Sequence, residues 1–325
     1  MLSRRSFVAS LALSPLTRSA ASAAIAGDWP RRPVRILYPY AAGSSGDTTA
    51  RLLAASLSEA LGQPFIVEDR TGANGILAAA SVARSPADGY TLFFATTPQI
   101  SISPVISSVP YDPIKDFAPI SAVSMNPFAL VVNAKLPVHT VAEFVDFVRK
   151  QGKGFAYAEG GFGSINHLAM AVFLDRAGVN GTNVSYKGNG PALMDVVAGH
   201  LPAMFSLLGD AMVQAKAGTI HMLAVSSEHR SVQALDIPTV AESGYPGYQA
   251  LSWWGLLAPA RSPQSVIDRL ALEVGLAIKK EKIASQLADF GVEPVGNSPG
   301  EFAAMILADN ARWSQAVKVA GIESH

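Results

Sequence analysis

The chain has 325 residues, 25 of them basic and 25 acidic, a formal net charge of +0 and no cysteine. The length suits two domains and buries roughly three quarters of the unfolded surface, so the core alone can hold the fold. The composition excludes disulfides, thiol nucleophiles and thiolate metal sites, and it lacks the basic excess that a nucleic-acid or acidic-membrane partner requires.

Residues 1–26 read as an export signal. Arg4-Arg5 precedes an apolar run at 7–13 that Pro15 closes, and Ala24-Ile25-Ala26 is a small-x-small cleavage site. The run is too short to span a membrane. The arginine pair, and Arg18 near the cleavage site, fit the twin-arginine route. The mature chain then starts near Gly27, is slightly acidic, and has no later segment apolar for long enough to insert in a bilayer.

The stretch 36–51 organises the rest of the chain. A strand at 34–38 runs through the small-residue turn Ala42-Gly43-Ser44-Ser45-Gly46-Asp47 into a helix at 48–61, which Gly62 and Pro64 end. Ser45 or Asp47 can cap the helix. A second strand at 65–68 completes a parallel βαβ unit. Free N–H groups converge at the helix start, where the helix dipole favours an anion. The same stretch also reads as an ordinary connection with no ligand.

A glycine turn at 72–75, a helix at 76–83 and a buried strand at 90–95 come next. The strand closes in the small polar turn Thr96-Thr97-Pro98, and 111–120 reads as a loop. A strand at 128–132 reads as the crossing into a second domain. Thr140 and Glu143 form a capping box for a helix at 141–150. A strand at 155–158 enters the glycine turn 160–164, and Ser164 caps a helix at 165–177. Strand 183–187, the turn Gly188-Asn189-Gly190 and helix 191–198 repeat that device. Two further strands lie at 203–208 and 222–226, and 251–259 reads as the return crossing. Three helices at 263–279, 281–289 and 299–320 then pack back on the first domain.

Catalytic motifs are incomplete throughout. Gly161-Phe162-Gly163 opens like a dinucleotide fingerprint, but Asn166 stands where the third glycine belongs. No Gly-Lys-Ser/Thr phosphate loop occurs, and Ser45 lacks the flanks of a nucleophile elbow. The histidines have no zinc spacing, and His167 reads as a structural hydrogen-bonding residue. Arg51 reads as solvated or ion-paired, and Trp253-Trp254 as hinge packing. What remains is three small-residue turns before helix starts (42–47, 160–164, 188–190) and a fourth at 96–98. They supply backbone donors and hydroxyls with no acid–base pair. That pattern suits a binder of anionic small molecules, with no catalytic residue, metal or cofactor.

Eight ordered segments carry a resemblance across the mature chain. They are 29–36, 38–51 with its Ala-Ala-Gly-x-x-x-Asp-x-x-Ala-Arg core, 88–92, 111–119, 157–168 with Gly-x-Gly-Ser-x-x-His-Leu, 186–193, and 238–244 with 254–259. The sequence resembles the periplasmic solute receptors of the tripartite tricarboxylate transporter type, also called Bug receptors.

The resemblance implies an α/β, two-lobed periplasmic-binding-protein fold of type II that closes like a Venus flytrap, each lobe a sheet flanked by helices, with two crossings. Lobe 1 would be 27–127 plus 252–325, and lobe 2 would be 128–251. It implies an exported monomer that takes a small carboxylate, a di- or tricarboxylate or an aromatic acid, and hands it to membrane transporter subunits. By position, Tyr40, Ala42, Gly43, Ser45, Asp47, Thr96 and Thr97 would line lobe 1, and Gly161, Gly163, Ser164 and His167 lobe 2. Ser44 stands in place of a second glycine and adds a hydroxyl. Ser206 stands where many members have an aspartate, which disfavours an amino-acid ligand. A receptor feeding a signalling system stays open as an alternative, as does, more remotely, an exported hydrolase using Ser45 or Ser164.

Overall fold

The computed structural model describes residues 29–322; the expected export signal lies outside the described residues. The first lobe starts with β1 (Val34–Tyr38), α1 (Ser45–Leu61) and β2 (Phe65–Asp69), with β1 and β2 parallel. Ala50, Leu53, Ala54 and Leu57 recur at helical spacing along α1 and are its buried stripe. Gly62 ends the helix in the left-handed conformation, with φ 68°. α2 (Ile76–Ala83) leads to β3 (Thr91–Thr96), which pairs in parallel with β1. The chain then continues through a π-helical stretch, Pro98–Ile102, into α3 (Ser103–Ile106).

The expected turn after Thr97 is therefore helical. Pro98 marks a helix start rather than a break, since proline is tolerated in a first turn. The expected loop near 117 is likewise the start of β4 (Phe117–Asn133), 17 residues long. Pro119 and Pro127 mask the continuity of this strand in the sequence, and its pairing shifts register between Pro119 and Ser121.

The second lobe carries α4 (Val141–Gln151), β5 (Ala156–Glu159), α5 (Ile165–Arg176), β6 (Thr182–Ser185), α6 (Asn189–Ala198), β7 (Ala203–Leu207), α7 (Leu208–Lys216) and β8 (Ile220–Val225). The Thr140–Glu143 capping box of α4 is formed as expected. No break separates β7 from α7 in the sequence, and the apolar run through Leu208 hides the helix start.

The chain returns along β9 (Leu251–Pro259) to α8 (Gln264–Ala277), α9 (Glu281–Asp289), the short β10 (Glu293–Pro294) and α10 (Pro299–Val319). One sheet runs β10-β4-β9-β3-β1-β2, while the far end of β4 pairs with β7 and β8. β5 and β6 form a separate parallel pair.

β4 thus belongs to both lobes. Its residues up to Pro127 pair with β9, and those from Phe128 pair with β7. Ser226 ties the two crossings together. Its buried hydroxyl accepts from the Phe128 N–H at 2.9 Å and donates to the Ala250 carbonyl at 2.5 Å.

Alternation along the strands sends neighbours to opposite faces of the first sheet. Ile36, Phe94 and Leu256 pack under α1 and α8, whereas Leu37, Phe93 and Leu257 pack with α2 and Phe302. Lobe 2 does the same with Leu130 and Val132 against Ala129 and Val131. Helices cover both faces of each sheet, which makes a layered α/β architecture. α8 and α9 pack on lobe 1 as expected, but α10 reaches both lobes. Its Phe302 and Ile306 join a lobe 1 cluster, and its Trp313, Ala316 and Val317 join lobe 2. No helix among the described residues is long and apolar enough to cross a membrane.

Candidate functional site

The β1–α1 turn is built around Ser44. Its hydroxyl accepts from the Asp47 N–H at 3.1 Å and lies 2.8 Å from the Tyr38 hydroxyl. The buried Asp47 carboxylate accepts from the Gly43 N–H at 2.9 Å, so cap and first turn hold each other reciprocally. The cap is therefore Ser44, one residue before the first of the two expected positions, and α1 begins at Ser45. Gly43 has φ 92°, and a Cβ at Gly46 would sit 2.5 Å from the Tyr38 hydroxyl, so both glycines are required by geometry. Burial pushes the Tyr38 phenol up to about 12, against the lowering effect of Ser44. Arg51 is ion-paired, reaching Asp47 at 2.8 Å and Asp69 at 3.0 Å. The first-turn N–H groups of Ser45 and Gly46 have no helical acceptor.

Gln99, fully buried, organises the floor beside this turn. Its Oε1 accepts from the Thr96 N–H at 3.0 Å and hydroxyl at 2.8 Å. Its Nε2 donates to the Tyr40 hydroxyl at 2.8 Å and the Asn74 carbonyl at 2.9 Å. Burial raises the Tyr40 phenol, so it stays a neutral donor. Thr97 is spent elsewhere, accepting from the Trp253 N–H at 2.9 Å.

Across the cleft, the loop after β5 closes on itself. Gly163 donates to His167 Nδ1 at 3.1 Å, and Ser164 caps α5. Burial lowers the His167 pKa, with the Glu159 charge opposing, so the ring remains a neutral acceptor as its structural reading requires. Asn189, at the start of α6, donates to Asp210 Oδ2 at 2.7 Å and Ser206 Oγ at 3.3 Å.

A cavity of about 220 Å³ lies between the two walls, with Tyr40, Asn74 and Pro98 on one side and Gly160, Gly163, Ser164, Asn166 and Asn189 on the other. It suits a compact ligand at the small end of binding pockets. A second, of about 130 Å³, holds Ser45, Trp254 and Asp210 at the hinge end. Of the expected residues, Tyr40, Gly163 and Ser164 line the first cavity and Ser45 the second. Ala42, Gly43 and Ser44 are exposed on the turn. Asp47, Thr96, Thr97, His167 and Ser206 are buried supports, and Gly161 lines neither cavity. Asn74, Gln99, Asn166 and Asn189 escaped the sequence reading. Their one signal was position beside glycine turns or strand ends.

Two lobes joined by a shared strand, with a cavity walled by both, define the periplasmic type of solute-binding protein. The model of the tripartite tricarboxylate transporter family receptor matches residues 49–322, and the chain belongs to that family, one of periplasmic solute receptors and not of enzymes. The protein BugT of Bordetella pertussis is 30% identical over 308 residues, 94% of each chain. The structure of Rpa4515 from R. palustris with adipate is 34% identical, with a TM-score of 0.80 over 92% of this chain and 100% of that one. MatC from Rhodopseudomonas palustris with bound malate is 29% identical, with a TM-score of 0.74 over 89% of this chain and 100% of that one.

Proposed function

We propose that this protein binds a small organic carboxylate between its lobes in the periplasm and presents the closed complex to the membrane subunits of a tripartite tricarboxylate-type transporter. The observation that carries the reading is a cavity walled by both lobes, with Ser45 at the start of α1 lining a second cavity at the hinge end. The open first-turn N–H groups of α1 suit an anion without any cationic side chain. Adipate and malate in similar receptors support the carboxylate class. The lobes divide as 27–127 with 252–325 and 128–251, and a ligand touching both favours the closed state through its differential contacts. Residues 1–26 direct export, by the twin-arginine route, and the mature protein acts as a monomer.

Thermal shift of the mature protein tests the reading. The panel is aliphatic di- and tricarboxylates, aromatic acids, acidic amino acids and neutral controls. A ligand specific to the folded state adds roughly 2.7 kcal/mol at a hundredfold excess over its dissociation constant. A shift confined to carboxylates is expected. A shift with the neutral controls alone would overturn the reading.

A further inference from the structure

Lobe 2 carries its own carboxylate directly behind the ligand cavity. Glu159, at the end of β5, is 0% exposed. Its Oε2 accepts from the Gly161 N–H at 2.5 Å and the Ser164 hydroxyl at 3.3 Å, and its Oε1 from Asn183 Nδ2 at 3.4 Å. Two more donors of the loop are also spent. Gly160 donates to Asn166 Oδ1 at 3.2 Å, and Gly163 to His167. A small-residue loop ahead of a helix is where a second ligand carboxylate would be expected to dock. Here the protein's own acid occupies much of that cradle.

The charges around the cavity point the same way. No lysine or arginine is among its lining residues, and His167 is held neutral by burial. Asp210 lies just beyond Asn189. A second anion against this wall would meet Glu159 and Asp210 with no facing cation, and like charges juxtaposed in an interface cost several kcal/mol. What lobe 2 leaves open is neutral. The Asn166 side chain, 4% exposed, uses its Oδ1 for protein donors, while its Nδ2 borders the cavity with no protein acceptor among the described residues.

We infer that Glu159 is a specificity-determining residue that restricts this receptor to ligands with one anionic group. The single carboxylate meets the α1 turn of lobe 1, and a neutral hydrogen-bond acceptor, an amide or hydroxyl oxygen, meets Asn166 of lobe 2. This rests on the carboxylate-binding reading and narrows it.

Calorimetric titration of the ligand-free mature protein with matched pairs tests it: succinate against succinamate, and adipate against its monoamide. In the unaltered protein the monoamide should bind about tenfold or more tightly than the diacid, from the like-charge cost. Glu159→Gln should shrink that ratio by a similar factor. A diacid that binds as tightly as its monoamide in the unaltered protein overturns the inference, whatever the variant does. An unchanged ratio in a Glu159→Gln protein that melts normally also overturns it, because the preference then arises elsewhere. If no member of either pair binds while a neutral solute does, the carboxylate reading itself fails and takes the inference with it.

Discussion

Ser44 illustrates how one hydroxyl sets the geometry of a binding turn. It is bonded to Tyr38 from the strand side and to the Asp47 N–H from the helix side. Ser44→Ala leaves that N–H without its cap, and loss of an N-cap of this type costs about 1 kcal/mol. Denaturant unfolding should show that loss with an unchanged slope. Ser44→Gly should cost less, since glycine leaves the freed N–H open to water. The sequence allowed a cap at Ser45 or Asp47, because serines and an acid crowd this turn and any of them can accept from a helix start. The choice is made by the Tyr38 hydroxyl, six residues away and invisible to local pattern. The same limit applies to Thr96 and Thr97. Their position at a strand end was legible, but whether they face a ligand or Gln99 and the Trp253 amide depends on packing from distant segments.

At the level of elements, α10 is the one whose role was least legible. Its periodicity announces a helix, and its length matches, yet nothing local says that one end packs in each lobe. Asp309 lies near its middle, 2% exposed, accepting from Trp253 Nε1 at 2.7 Å and paired with Arg312 at 2.7 Å. Burial raises its carboxyl to about 6, against the lowering effects of Arg312 and Trp253. The folded value lies above the unfolded 3.8, so this group's contribution is full below about pH 4 and is lost as pH rises through about 6. The shift corresponds to stability on the order of 3 kcal/mol. Melting temperatures of the unaltered protein relative to Asp309→Asn should therefore fall between about pH 4 and pH 7. A constant difference across that window would refute the assignment. By contrast, the strands of the return crossing and the capped helices α4 and α5 were readable, since their apolar runs and caps act over a few residues.

On the scale of the whole molecule, the lobes also meet backbone to backbone. A Cβ on Gly209, at the start of α7, would lie 2.3 Å from the Phe290 carbonyl oxygen, and one on Gly291 would lie 2.5 Å from the Gly209 nitrogen. Beside them Gln233 Nε2 donates to the Val292 carbonyl at 3.1 Å. Gly209→Ala cannot keep this approach, so the lobes must part there. The expected outcome is a normal melting curve, weaker ligand binding and a larger radius of gyration in solution scattering with ligand present. Equal affinity and equal dimensions would show that the contact plays no part in closure. None of this was legible in the sequence, where nothing local links position 209 to position 291. Two domains and their crossings at 128–132 and 251–259 were legible from length and strand pattern, but the flytrap plan came from the resemblance, because strand and helix periodicities do not say which elements share a sheet.

The crossing has one more property. Of the four tryptophans, Trp29, Trp253 and Trp313 are buried, while Trp254 is half-buried and borders the hinge-end cavity with Ser45 of one lobe and Asp210 of the other. Its indole is thus placed to register the polarity of the gap, and the molecule carries its own optical gauge of lobe separation. Ligand addition should shift the emission to the blue, and Trp254→Phe should abolish the shift while binding heat persists. A receptor so equipped can be screened against unlabelled solutes by its native fluorescence alone.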